Sequence, residues 1–150
     1  MALDAFRLQH PLRVRWSEVD PQGIVFNSHY LMYCDVAITE YWRALRLVYP
    51  SGLLELGVDT VVARATLSYA AAARYDDELV VGIRCAAIGR TSLRVESEIT
   101  REGAALVSAE LIYVTVTADS HQPVPVPGAV TQAIEDFEIT PPERARRSAG

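Results

Sequence analysis

From Ser28 to Tyr49 the chain contains neither glycine nor proline, and Tyr30, Cys34, Ala37, Tyr41, Leu45 and Val48 recur there at intervals of three or four. That period lays one apolar stripe along a single helix of roughly five to six turns at 3.6 residues per turn. Ser28 stands as the N-cap and "YPSG" at 49–52 as the stop. Four segments of strand character follow. "VVARATLSY" alternates Val61, Ala63, Ala65, Leu67 and Tyr69 against Arg64, Thr66 and Ser68, while "LVVGIRCAAI" is nearly continuous apolar, as in a central strand. "SLRVESEITR" sets Leu93, Val95 and Ile99 opposite Arg94, Glu96 and Glu98, and "ALVSAELIYVTVT" is apolar on both sides. The separators are "RYDD", "GR" and "EG", with Glu102-Gly103 the clearest hairpin turn, and the four strands are read as antiparallel. One long helix covering one face of an antiparallel sheet is an α+β layer arrangement.

Upstream, "PLRVRW" places Leu12, Val14 and Trp16 on one face and Arg13 and Arg15 on the other, which predicts a half-buried strand and brings the sheet to five. It runs into "SEVDPQGIVFN". Asp20 beside Pro21, with Gly23 three residues on, is turn chemistry: Pro fixes φ, Gly permits positive φ, and the Asp accepts from nearby amides. Downstream, "PVPVP" ends the last strand, and "AVTQAIEDFE" predicts a short helix. We expect one domain over residues 1–140 and a mobile polar tail over 141–150, with Arg144, Arg146 and Arg147 in solvent.

The 150 residues carry 19 acidic against 14 basic side chains, a net charge of −5, which argues against a nucleic-acid partner held by general attraction. No apolar run approaches the roughly 18 residues that span a bilayer, and the N-terminus lacks an apolar leader core, so a cytoplasmic location is expected. Cys34 and Cys85, in separate apolar segments, read as buried small side chains rather than a disulfide or a metal site.

Three blocks, "VRWSEVDPQGIVFNSHYLMYCDVA", "RATLSYAAAARYDDELVV" and "GRTSLRVESEI", together with "PVPVP", resemble the hotdog-fold thioesterases. The likeness is to their 4-hydroxybenzoyl-CoA and Tol-Pal-associated branch, and it spans about residues 10 to 128. The resemblance implies a long helix wrapped by a curved antiparallel five-stranded sheet. It also implies edge-to-edge pairing of two protomers, a homodimer or dimer of dimers, with active sites in the interface. Asp20 would be the catalytic carboxylate. The oxyanion donor would be a backbone amide at or next to Asn27, where some relatives carry His. Acyl-CoA would be the substrate, with no cofactor beyond the CoA it brings and no metal.

Under that resemblance Gly23 would let backbone approach the acyl group, and Ile24, Val25 and Phe26 would line its pocket; by residue type alone the last three read as core. Tyr30 would contact the acyl portion or serve as a packing aromatic. Arg90, with Thr91 and Ser92, would meet CoA phosphates, the alternative being a turn arginine in water. Asp20 would act either by direct attack, forming a mixed anhydride, or as a general base on water. Two other readings stand beside this one. A non-catalytic acyl-CoA-binding module would keep the fold without the chemistry. A hotdog hydratase or dehydratase would need a His working with the Asp, and the Asp-Pro-Gln-Gly block has none in its turn.

Overall fold

The computed structural model describes residues 3–145. A 3-10 turn, Leu3–Ala5, leads into strand β1 (Leu8–Arg13), and a second 3-10 turn, Trp16–Glu18, precedes helix α1 (Ser28–Ala44). There follow a single helical turn α2 (Ser51–Leu54) and strands β2 (Val58–Tyr69), β3 (Glu78–Ile88), β4 (Ser92–Arg101) and β5 (Ala104–Thr117). Helix α3 (Gly128–Phe137) and the two-residue strand β6 (Glu143–Arg144) complete the chain. The sheet order is β1-β3-β4-β5-β2, and every neighbouring pair on this path is antiparallel. Glu102 and Gly103 turn at φ 51° and 80°, the positive values that a two-residue hairpin requires.

Helix α1 packs on one face of the sheet, against β3 and β1. Tyr30, Tyr33, Cys34, Ala37, Ile38, Tyr41 and Trp42 are buried, a continuous stripe at three- and four-residue spacing. They pack with Val81, Ile83, Val95, Ile99, Val107 and Leu111 from the three central strands in one core. Burial of this kind contributes about 1.5–3 kcal/mol for each large apolar side chain, which is why the helix persists without a side-chain N-cap bond.

Several expectations are corrected. The helix ends at Ala44 rather than Tyr49 because Arg46 adopts φ 62°. There its amide bonds to Arg43 O at 3.0 Å and the Leu47 amide to Trp42 O at 2.9 Å, the paired bonds of a left-handed C-terminal cap. Val48 therefore lies beyond the stripe and is exposed. Trp16 does not join Leu12 and Val14 on the inner face, because the strand stops at Arg13 and the chain turns to bury Glu18. Trp16 instead stands 73% exposed, edge-on to Tyr75.

Strand β2 is an edge, and Val61, Val62 and Tyr69 on it are exposed in the single chain. The tail reading changes for its first residues: Glu143 and Arg144 pair in parallel with Ala87 and Ile88, and Arg144 bonds to Glu135. Unfilled backbone groups on β3, beyond the end of β1, give that segment its partner. Arg146 and Arg147, with the rest of 146–150, lie outside the described residues.

Candidate active site

The turn after the second 3-10 segment is a miniature hairpin. The Phe26 amide donates to Glu18 O at 3.0 Å, Val19 and Val25 bridge, and the Asp20 amide donates to Ile24 O at 2.9 Å. Asp20 O accepts from Gly23 N–H at 2.9 Å, and Asp20 Oδ1 from Gln22 N–H at 2.8 Å. Gly23 sits at φ 81°, the left-handed value that this turn needs and that glycine reaches without steric cost. Asp20 Oδ2 takes no hydrogen bond from the described residues.

Asn27 immediately precedes α1. Its amide donates to no acceptor among the described residues, as expected of the first N–H groups of a helix, which also carry the positive end of its dipole. Its carbonyl accepts from the Tyr69 hydroxyl at 3.2 Å, which ties the helix start to the end of β2. The Tyr69 ring meets Tyr30 edge-on at 5.7 Å, and the Tyr30 oxygen accepts the Ala73 N–H at 2.9 Å. Burial pushes the Tyr30 hydroxyl above the usual tyrosine range, so it stays neutral.

These elements enclose a cavity of about 270 Å³, lined by Asp20, Gln22, Ile24, Val25, Asn27, Tyr30, Tyr69 and 70–72, which are all alanine. The structure thus brings five of the sequence candidates together: Asp20, Ile24, Val25, Asn27 and Tyr30. Gly23 shapes the turn but does not line the cavity, and nothing approaches the position of its absent side chain within 4 Å. Phe26 is 47% exposed and contacts His29 instead. Within one protomer Arg90, Thr91 and Ser92 are not at this cavity: Ser92 pairs with Val114 at the far end of β5, whereas Tyr69 pairs with Val107. Their turn is held by its backbone, Thr91 O accepting from Thr115 N–H and Arg90 O from Val126 N–H.

Gln22, Tyr69 and the alanines were not among the sequence candidates. The run "YAAAA" carries a readable signal, because small residues after a strand leave room beside the backbone. Among the described residues no group of three or more His, Cys, Asp and Glu side chains is placed to hold a metal ion.

Asp20 and Asn27 thus line one cavity beside the start of the long helix, which packs on an antiparallel sheet. The sequence profile of the thioesterase superfamily matches residues 22–108. The chain belongs to that superfamily and is by class a thioester hydrolase. An acyl-CoA thioesterase of Haemophilus influenzae, YbgC, is 28% identical over 128 residues, covering 85% of this chain and 94% of the relative. Among solved structures, a thioesterase from Thermus thermophilus in complex with coenzyme A and zinc superposes with a TM-score of 0.79 at 30% identity. That match covers 92% of this chain and 98% of the other. A protein of Aquifex aeolicus gives the same TM-score at 25% identity, over 84% and 98% of the two chains.

Proposed function

We propose that the chain is a cytoplasmic acyl-CoA thioesterase of the 4-hydroxybenzoyl-CoA and Tol-Pal-associated branch, with Asp20 as the reacting carboxylate and the Asn27 amide as oxyanion donor. The observation that carries this reading is that Asp20 and Asn27 both line one cavity, with Asp20 Oδ2 and the Asn27 N–H unbonded among the described residues. The CoA complex of the Thermus relative and the activity of the Haemophilus relative support a CoA ester as substrate.

Water adds to the acyl carbon, the C–S bond breaks, and the products are a carboxylic acid and CoA thiol. Asp20 serves either by taking a proton from that water or by attacking first, with the anhydride then hydrolysed. Engagement of Oδ1 by the Gln22 amide leaves Oδ2 for this work. Negative charge growing on the thioester oxygen meets the Asn27 amide and the positive end of α1, and a preorganised donor of this kind contributes about 3 kcal/mol. A thiolate leaves without a dedicated general acid, and no cofactor enters beyond the CoA of the substrate.

The free edge of β2 supports a two-fold dimer. Antiparallel pairing of two such edges would reverse the strand, so the partner's Val61 end would lie beside Tyr69 of the first protomer. Arg90, Thr91 and Ser92 belong to that end, since Val61 and Ser92 both pair with Val114. They would then serve the neighbouring cavity by binding CoA phosphates, although in one chain they stand about 25 Å along the strands from their own, at ~3.3 Å per residue. Exposed Leu31, Met32 and Val36 on α1 add apolar surface to the same interface.

A panel of benzoyl-, 4-hydroxybenzoyl-, butyryl- and octanoyl-CoA, followed by release of free thiol, tests the reading. Turnover of at least one ester with kcat/KM of about 10⁴ M⁻¹ s⁻¹ or more is expected. Tight binding without hydrolysis across the panel would identify a binding module instead.

A further inference from the structure

Glu18, Glu98 and Glu138 are buried carboxylates that the chemistry above does not use, and Glu18 is the one beside the Asp20 hairpin. Glu18 is 2% exposed and stands at the base of the Asp20 hairpin. Its Oε1 accepts from the Arg15 backbone N–H at 2.8 Å and from the Tyr33 hydroxyl at 2.9 Å, and its Oε2 from Arg15 Nε at 2.9 Å. Its backbone oxygen receives the Phe26 amide, so the same residue closes the hairpin and reaches into the helix. Tyr33 is fully buried in α1, on the stripe that packs against the sheet.

A turn built on Asp-Pro-x-Gly needs no buried charge to form. Taking a carboxylate out of water is costly, and an apolar residue would fill the space more cheaply. Here burial raises the carboxyl, while hydrogen bonds from Arg15 and Tyr33 outweigh it and bring the net value below the ordinary range, so Glu18 is ionised. Directional bonds to a charge resist small displacements that apolar packing would tolerate. Asp20 lies two residues beyond Glu18, and Asn27 lies one residue beyond Phe26. The Glu18 to Tyr33 bond is therefore a strut between the two halves of the site.

We propose that Glu18 and Tyr33 are positioning residues for thioester hydrolysis: their hydrogen bond anchors the Asp20 hairpin to the core of α1 and sets the stance of the Asp20 carboxylate relative to the Asn27 amide. This rests on the reading of Asp20 as the reacting carboxylate. A displacement of about 1 Å at a reacting group costs on the order of a hundredfold in rate, so partial loosening should be visible in kcat.

The test is Tyr33→Phe, which keeps the ring and removes only the hydroxyl, made in wild type and in Asp20→Asn. Benzoyl-CoA and butyryl-CoA serve as probes, and thermal melting shows that each variant is folded at the assay temperature. In wild type, Tyr33→Phe is expected to lower kcat about tenfold with KM within about twofold. In Asp20→Asn it should change the residual rate by less than about twofold, because its effect runs through Asp20. Glu18→Gln should lower kcat in the same background-dependent way. Unchanged kcat in Tyr33→Phe overturns the proposal, and so does an equal loss in both backgrounds, which would mark a general effect on stability. Near-normal turnover by Asp20→Asn alone overturns the catalytic reading itself, and the strut with it.

Discussion

The hydroxyl oxygen of Tyr30 accepts the backbone N–H of Ala73 at 2.9 Å, joining the first turn of α1 to the loop between β2 and β3. Both residues are buried. The contact holds one wall of the cavity, since the Ala73 carbonyl also accepts the Val25 amide at 2.9 Å. Tyr30→Phe leaves that buried N–H without a partner, at a cost of about 1–3 kcal/mol. Thermal melting should show a loss of about 2–4 °C per kcal/mol for a chain of this size. A melting temperature equal to wild type would mean that water or another acceptor replaces the hydroxyl.

Asp20→Asn should retain the turn, because an amide oxygen can still accept from Gln22 N–H. It should lower kcat by about a hundredfold or more, the scale for losing a nucleophile or positioned base. Single turnover in ¹⁸O water, together with trapping, then separates the two roles in wild type. Label entering the Asp20 carboxylate reports an anhydride opened at the aspartyl carbon. Where label is confined to the product acid, trapping with hydroxylamine decides: an Asp20 hydroxamate or acyl hydroxamate formed in burst with the thiol reports the anhydride, and its absence reports general-base attack.

Arg90→Ala should raise KM for acyl-CoA and leave kcat nearly unchanged, since a phosphate contact is felt equally in the ground and transition states. The loss should be about 1–2 kcal/mol and should shrink as salt rises. A short thioester without the nucleotide should react equally well with wild type and variant. Equal slowing of both substrates would trace the effect to folding or the interface.

Assembly is tested by light scattering at micromolar protein. A long exposed edge strand beside exposed apolar helix residues predicts a dimer or dimer of dimers. An active monomer would contradict a site shared between protomers.

Glu138 predicts a pH dependence of stability. Burial raises its carboxyl above the ordinary 4.5, and the hydrogen bonds from the Tyr41 hydroxyl at 2.6 Å and the Cys85 amide at 2.7 Å only partly oppose this. A raised carboxyl contributes stability that is full below the unfolded value and is lost as pH rises through the folded one. Wild type should therefore lose stability relative to Glu138→Gln as pH rises from about 4.5 upward. Parallel melting curves for the two proteins from pH 4 to 8 would show that Glu138 is not raised.

The sequence alone determined the elements whose cause is local. The stripe from Tyr30 to Tyr41 made α1 legible, alternation or a continuous apolar run marked the strands, and Glu102-Gly103 and Asp20-Pro21-Gln22-Gly23 announced their turns, because each signal lies within a few neighbouring residues. The helix end was hidden, since its cap uses Arg46 in the left-handed region rather than a glycine. Only the tertiary structure put Tyr69 and the alanines beside Asp20, set Glu18 against Tyr33 fifteen residues away, and joined Tyr41 to Glu138 across ninety-seven. Those contacts depend on how the sheet curls around the helix, and in a linear chain a buried glutamate partner and a solvated glutamate are the same letter.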